Sequence, residues 1–207
     1  MLEVVRLAVR QLEAYNAWDL DAFVACYHPQ VQVFSDGVLT MEGQTAFREA
    51  YRAKFEGGDF GGRVPRRIEA GERCIEEEHY WTKSGARGSI LVEYALREDA
   101  IGTVRFTRFE GLVSAVSEAL SAGDALAVPG LGRFGPPSDS GPGSVRFQRG
   151  ADAPGGPHER LARAIVHWMA QQDALDILGF GRFEQSPTGL AFHADEALVK
   201  LVQRGER

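Results

Sequence analysis

Residues 12–23 read LEAYNAWDLDAF, and this stretch decides how the first part of the chain folds. It completes a segment, 3–16, in which apolar residues recur every three or four positions, as they do on one face of a helix. Asp19 can cap a second, short helix, because its carboxylate accepts hydrogen bonds from the free N–H groups of a first turn. Pro29 is expected to end that helix. The stretch therefore predicts two successive helices.

The segments that follow predict a third helix and then a sheet. Residues 31–34 form a short extended run that stops at the turn signal Ser35-Asp36-Gly37. A helix is predicted from about 44 to 55, ended by the glycines at 57, 58, 61 and 62. Beyond it the apolar period changes to two, which predicts an antiparallel meander of strands at 66–70, 74–83, 88–96 and 102–109. The fold class is α+β, with three helices on the concave face of a curved sheet.

The run 12–23, together with 27–29, 34–37, Gly43, Phe47 and a closing strand at 103–106, resembles the nuclear-transport-factor-2-like proteins. Within that group, the sequence pattern is most similar to that of the SnoaL-like polyketide cyclases and the ketosteroid isomerases. The resemblance covers residues 1–110. It implies a cone-shaped half-barrel with a deep apolar pocket for a small hydrophobic molecule, and a homodimer formed through the sheet.

Composition narrows the classes of function. The 207 residues are 44% hydrophobic, which is enough to bury a core and excludes a disordered chain. The formal net charge is −6, so a polyanion is not the expected partner. Two cysteines, Cys26 and Cys74, without metal-ligand spacing predict neither a disulfide scaffold nor a zinc site. With neither a leader pattern nor a long apolar run, the sequence is interpreted as cytoplasmic, without membrane contact.

The second half of the chain contains an internal repeat. ALAVPGLGRF at 125–134 and ALDILGFGRF at 174–183 are identical at six of ten positions. A predicted helix precedes each copy and a short strand follows each, so one small unit occurs twice, at about 111–150 and 158–205. Such units stack because one alone cannot close a core. We therefore predict a domain at 111–207 that forms an intramolecular pseudo-dimer.

The same repeat resembles the HU/IHF family of histone-like DNA-binding proteins, through the motif at 179–183 and a last helix at about 194–202. The sequence differs from the family in the part that binds DNA. The links 135–144 and 184–189 are too short for the long basic β-ribbon arm. Residues 111–207 also hold nine basic against eleven acidic residues, a net charge of −2, whereas affinity for DNA comes mainly from neutralised phosphates. The sequence argues against DNA as a partner.

Three residues are candidates for acid–base chemistry. Strand alternation places Glu77, His79 and Trp81 on one face and the set 76, 78 and 80 on the other, so one set could enter the cone. A carboxylate that binds an imidazole raises the pKa of the imidazole into the range useful for acid–base catalysis. Alternatively, these charged side chains face solvent or a dimer partner. Asp36 falls near the base position of the ketosteroid isomerases, or it is a plain turn residue.

The full isomerase site is not expected. The resemblance places Gln11 at the donor tyrosine of that family and Val92 or Glu93 near its second donor, so at most one of the three catalytic groups is present. One histidine with flanking glutamates on opposite faces does not converge on a metal, and neither a metal nor a cofactor is predicted.

The first half has more aromatic residues than a small closed core needs, so several are predicted to line a pocket. Arg105 could enter that pocket to hold an anionic ligand or pair with an acid across the sheet. The predicted lining residues are Tyr15, Trp18, Phe34, Phe55, Tyr80, Trp81, Tyr94 and Arg105.

The resulting functional hypothesis is a protein that binds a small hydrophobic ligand. If it is an enzyme, it is an isomerase or cyclase that acts on a carbonyl compound by proton transfer, with Asp36 or the Glu77/His79 pair as the base. The alternative is a non-enzymatic nucleoid-associated or regulatory protein whose HU-like half contacts DNA or protein. A third possibility is a scaffold whose cone is filled by its own side chains.

Overall fold

A computed structural model describes residues 1–136, 145–150, 155–187 and 189–205. The chain divides into two compact units, Met1–Thr107 and Arg108–Arg207. No helix among the described residues is both long and apolar enough to cross a membrane.

The first unit contains three helices and a six-stranded sheet. The helices are α1 (Glu3–Asn16), α2 (Leu20–Val24) and α3 (Gln44–Gly57). The strands are β1 (Tyr27–Ser35), β2 (Val38–Glu42), β3 (Phe60–Ala70), β4 (Arg73–Thr82), β5 (Arg87–Arg97) and β6 (Ala100–Arg108). Their order in the sheet is β2-β1-β6-β5-β4-β3, with β1 parallel to β6 and antiparallel to β2. Strands β3, β4 and β5 form an antiparallel meander. The α+β class, the three helices and the sheet are thus as predicted.

The predicted boundaries are wrong in two places. Helix α2 ends at Val24, and Pro29 lies inside β1. Strand β3 begins at Phe60, six residues before the predicted start, because Gly61 and Gly62 belong to the strand and do not end the helix. A Cβ at Gly61 would stand 2.7 Å from the Trp81 ring, so the missing side chain is what lets the neighbouring strand place its indole there.

The core of the first unit lies between the helices and one face of the sheet. Asp19 caps α2 as predicted, accepting a hydrogen bond from the Ala22 N–H at 2.9 Å. Aromatic rings dominate this core, with centroid separations as short as 4.3 Å for Tyr27 and Phe47 and 4.4 Å for Tyr15 and Phe60. The helix-facing side of the sheet also carries polar groups, among them the acids of β4 and Arg67 of β3.

The second unit repeats one pattern, a helix followed by three strands. The first copy has α4 (Glu110–Ser121), β7 (Leu126–Val128), β8 (Gly132–Gly135) and β9 (Arg146–Arg149). The second copy has α5 (Glu159–Met169), β10 (Ala174–Ile177), β11 (Gly181–Ser186), β12 (Gly189–Ala194) and a further helix, α6 (Glu196–Gly205). Each set of strands forms its own antiparallel sheet.

The two copies share one aromatic core, as the predicted pseudo-dimer requires. Phe134 and Phe147 of the first copy pack on three phenylalanines of the second, with ring centroids 5.2–6.3 Å apart between copies. The three are Phe180, Phe183 and Phe192. Helix α4 also packs against α6, and β9 lies beside β12. Most of the predicted link between β8 and β9 falls on 137–144, which lie outside the described residues.

Candidate functional site

Strand β4 carries four consecutive ionisable residues whose side chains alternate between the two faces of the sheet. Glu76 and Glu78 lie on the helix-facing side with Cys74, and Glu77 and His79 lie on the opposite, outward side. The two faces therefore give neighbouring carboxyl groups different surroundings.

A chain of hydrogen bonds connects Glu78 to helix α1. The Tyr94 hydroxyl donates to Glu78 Oε1 at 2.7 Å and accepts from Gln11 Nε2 at 3.0 Å. The Tyr27 hydroxyl donates to Gln11 Oε1 at 3.2 Å. Burial raises the pKa of Tyr94 well above its usual value, so Tyr94 stays protonated and remains the donor to Glu78.

The Glu78 carboxyl titrates near neutral pH. Its pKa is raised from the ordinary 4.5 to about 8. Burial is the largest cause and the charge of Glu76 adds to it, whereas the Tyr94 hydrogen bond, Lys54 and Arg67 oppose the rise. Of the three consecutive glutamates, Glu76 and Glu77 have no exposed surface, while Glu78 is half-buried. Of these three glutamates, Glu78 is thus the one whose side chain keeps some surface open to solvent.

Glu76 is bound on one oxygen only. Its Oε1 accepts from Arg67 Nε and Nη2, both at 2.5 Å, while its buried Oε2 has no hydrogen-bond partner among the described residues. Burial raises the pKa of Glu76, and Arg67 opposes that shift. The ion pair with Arg67 holds this carboxyl group two positions from Glu78 on the same face.

Aromatic rings and one lysine complete the helix-facing region. Lys54 on α3 places Nζ 4.8 Å from the ring centroids of both Tyr15 and Phe60. Burial lowers the pKa of Lys54, while the charge of Glu78 raises it. Tyr15 in turn packs edge-on to Phe55, with ring centroids 5.8 Å apart. The acids therefore lie next to a surface suited to flat apolar molecules.

The outward face of β4 holds a compensated ion cluster. Arg66 Nη1 donates to Glu77 Oε2 at 2.8 Å, and His79 Nε2 lies 2.7 Å from Glu77 Oε1. Arg63 Nη2 approaches His79 Nδ1 at 3.4 Å. Glu77 and His79 are both buried. The predicted Glu77–His79 contact exists, but both Glu77 oxygens are already bound and the pair is on the side of the sheet away from the helices.

Asp36 lies apart from the other two predicted catalytic residues. It occupies the β1–β2 turn with φ 51°, its side chain is exposed, and its N–H donates to the Phe106 carbonyl at 2.9 Å. The arrangement is that of a turn residue, the alternative that the sequence left open. The structure thus brings Glu77 and His79 together and leaves Asp36 on a different pair of strands.

The predicted lining residues separate into two groups. Tyr15, Phe55, Tyr80 and Tyr94 lie on the helix-facing side, whereas Phe34, Trp81 and Arg105 lie on the outward side. Trp18 follows α1, is 40% exposed, and donates from Nε1 to the Phe60 carbonyl at 2.8 Å.

Arg105 pairs with an acid across the sheet, which is one of the two interpretations that its sequence position allowed. Its Nη1 donates to Glu93 Oε1 at 3.2 Å across the sheet, and its guanidinium lies 5.1 Å from the Phe34 ring centroid. The predicted pairing with an acid is confirmed.

Sequence reasoning did not assign a role to Glu78. Strand alternation had already grouped it with Glu76 and Tyr80, so the missing information was which face the helices cover. Gln11 gave a second signal, because an amide within an apolar helical stripe needs buried polar partners, and these are Tyr94 and Tyr27. Among the described residues no group of three or more His, Cys, Asp or Glu side chains is arranged to hold a metal ion.

Solved structures of other proteins resemble about half of this chain. No protein-family profile matches the sequence, and no curated protein matches it. An uncharacterised cystatin-fold protein from Novosphingobium aromaticivorans is 20% identical, with 52% of this chain and 99% of that chain covered and a TM-score of 0.46. An NTF2-like protein of unknown function from Burkholderia xenovorans is 18% identical, with 51% and 82% covered and a TM-score of 0.45.

A further likeness is to a putative polyketide cyclase from Sinorhizobium meliloti, at 12% identity, with 49% and 94% covered and a TM-score of 0.44. Identities and TM-scores this low say nothing about ligand or reaction. The HU-like resemblance of the second half stays a prediction.

Proposed function

We propose that the first unit binds a small hydrophobic carbonyl compound on the helix-facing side of its sheet and exchanges a proton with it through Glu78. The observation that carries this proposal is the Glu78 carboxyl itself. It is half-buried beside aromatic rings, its pKa is about 8, and its contact is the Tyr94 hydroxyl at 2.7 Å. A group that titrates near the working pH is efficient as both acid and base.

The chemistry follows from the two protonation states of Glu78. In its protonated form the carboxyl group can donate a hydrogen bond to a ligand carbonyl oxygen, and in its ionised form it can remove a proton from the carbon next to that carbonyl. Tyr94 acts as a positioning residue, because Gln11 on α1 fixes its hydroxyl and that hydroxyl fixes one Glu78 oxygen. The other Glu78 oxygen is the one that meets the ligand.

The bases predicted from the sequence are less favoured for this role. Asp36 lies in an exposed turn, and Glu77 and His79 are bound to each other on the outward face. A homodimer formed through the outward side of the sheet is part of the proposal, and it would cover the surface that carries Trp81 and Arg105.

A two-stage experiment tests the function. The first stage is a thermal-shift screen against steroids, polyketides and fatty-acid-like compounds, in which a ligand at 100 times its Kd adds about 2.7 kcal/mol of stability. The second stage follows deuterium uptake at carbon atoms next to the carbonyl of each stabilising ketone by NMR. Glu78→Gln should abolish catalysed exchange, whereas the matched variant Glu93→Gln on the outward face should exchange at the wild-type rate.

Two results would contradict the proposal. Absence of stabilisation by every compound would remove the binding function. Exchange that persists in Glu78→Gln and disappears in Asp36→Asn would assign the reaction to the turn residue.

A further inference from the structure

The two copies in the second unit present the same arginine on the outward faces of their sheets, but in different surroundings. Arg182 in β11 pairs with Asp176 at 3.2 Å and lies 3.5 Å from Glu184. Glu184 also binds His193 at 2.8 Å. The charge of Arg182 is thus satisfied within its own sheet.

The equivalent Arg133 in β8 lacks these acids. Ala127 lies opposite Arg133 in the sheet, as Asp176 lies opposite Arg182. Gly135 stands two residues after Arg133, where the second copy has Glu184. The first copy therefore keeps the arginine and omits both of its partners.

A second arginine strengthens the difference. Arg146 in β9 pairs with Gly135, at the position that Ala191 occupies opposite Glu184. Arg133, Arg146 and Gln148 are all exposed and share one face, because their neighbours Phe134 and Phe147 point into the aromatic core. Neither arginine forms an ion pair with any residue that the structure describes. The sequence between β8 and β9 supplies one acid, Asp139, against these two arginines.

We propose that this surface, the first-copy face formed by Arg133, Arg146 and Gln148, docks an acidic segment of a partner protein. Each guanidinium can bind a carboxylate through two parallel N–H donors, and the Gln148 amide can bind backbone groups of the same segment. The equivalent face of the second copy should not bind this segment, because Arg182 is already paired with Asp176 and Glu184. The inference is independent of the function proposed for the first unit.

The small number of cations favours an acidic peptide over a nucleic acid. Nucleic-acid binding relies on neutralising many phosphates, about 6–10 in a typical specific complex, whereas this face offers two arginines on a chain with a net charge of −6. Two arginine–carboxylate pairs suit a short acidic segment bound with modest, salt-sensitive affinity.

The test uses the full chain and a short fluorescein-labelled peptide of alternating aspartate and serine, followed by fluorescence anisotropy at two salt concentrations. Binding should weaken at the higher salt concentration. Arg133→Ala and Arg146→Ala should each weaken it by about twofold to fivefold. Ala127→Asp, which supplies the acid that the second copy has, should weaken it similarly without removing any arginine.

The second copy provides the matched control. Arg182→Ala should leave peptide affinity unchanged, and the double variant Asp176→Ala/Glu184→Ala should create a second binding site. Thermal melts check that each variant is folded. Failure of the peptide to bind, or equal affinity for wild type and Ala127→Asp, would overturn the proposal. Tighter binding of a duplex oligonucleotide than of the peptide, with loss in the same arginine variants, would replace the acidic segment with a nucleic acid.

Discussion

Glu77 and Glu78 are neighbours on one strand, yet the two faces of the sheet give them opposite roles. The Glu77 side chain is buried with Arg66 and His79 against its two oxygens. Glu78 contacts a neutral tyrosine hydroxyl, and its pKa rises to about 8. The difference lies in the partners: Glu77 meets a cation and an imidazole, whereas Glu78 meets a neutral hydroxyl.

The physical reason is the cost of placing a charge in an apolar interior. A buried carboxylate needs a cation and hydrogen bonds, or it takes up a proton. Glu77 has a guanidinium and an imidazole against its oxygens, whereas Glu78 lies beside a neutral hydroxyl and its raised pKa favours the protonated form. A charge on Glu76, on the same face as Glu78, makes ionisation of Glu78 still less favourable.

The largest effect on stability should come from removing Glu77, which binds Arg66 and His79 on the outward face of β4. Glu77→Ala removes the acceptor that Arg66 and His79 share in a buried position, so we expect a loss of about 3–5 kcal/mol in the free energy of unfolding. Urea denaturation measures it. A loss below about 1 kcal/mol would mean that water compensates these groups and that the outward cluster is not truly buried.

The next effect is a pH dependence that belongs to Glu78. Its pKa in the folded state, about 8, exceeds the ordinary 4.5, so the folded protein holds a proton that the unfolded chain has released. The stability from this group is therefore complete below pH 4.5 and is lost as pH rises through about 8. The free energy of unfolding should fall by about 1 kcal/mol per pH unit within that window.

Glu78→Gln is the comparison for this dependence, because glutamine keeps the shape and cannot ionise. Its unfolding free energy should change less with pH than that of the wild type. Parallel curves for the two proteins would show that Glu78 has an ordinary pKa.

Removing the Tyr94 hydroxyl should raise the pKa of Glu78 and so increase the difference between the acids on the two faces. The hydrogen bond from Tyr94 lowers the pKa of Glu78, so Tyr94→Phe should raise that pKa further. The variant should also lose about 1 kcal/mol of stability, because Gln11 then lacks its acceptor. Carbon-detected NMR of the glutamate carboxyl groups follows the titration, and a lowered pKa would contradict the assigned direction of this hydrogen bond.

The smallest effect is expected from Glu93→Gln on the outward face. Glu93 pairs with Arg105 and Arg73 at 3.2 and 3.5 Å near the surface, and such pairs contribute less than about 1 kcal/mol. The titration of Glu78 should stay unchanged, as seen by the same NMR experiment. A shift of that titration would show that the two faces of the sheet are electrostatically coupled.

Much of the fold could be predicted from local patterns. The cap at Asp19 and the apolar stripe over 3–16 gave α1 and α2, and the change of period near residue 64 gave the meander. Pro29 and the glycines at 61 and 62 were misinterpreted, since both residue types also occur in strands when pairing and packing permit. The repeat at 125–134 and 174–183 likewise predicted the shared core.

The candidate site was only half predictable. Alternation divided the acids of β4 into two sets without telling which set faces the helices, and Arg66 and Arg67 are distant enough in sequence that their pairing with Glu77 and Glu76 depends on the register of β3 against β4. A bulge between Arg63 and Arg66 sets that register. Pro65 lies within it and is the sequence signal that was missed, because a proline inside a strand cannot donate to the ladder and occurs at bulges or edges.

The sequence by itself therefore determined the type and order of the elements, the duplication, and the two alternating sets of acids, because these depend on periodicities within short segments. Only the tertiary structure decided that Glu78 lies with Tyr94 and Gln11 while Glu77 lies with Arg66. The two faces of an isolated strand are physically alike until helices cover one of them and neighbouring strands bring cations to the other.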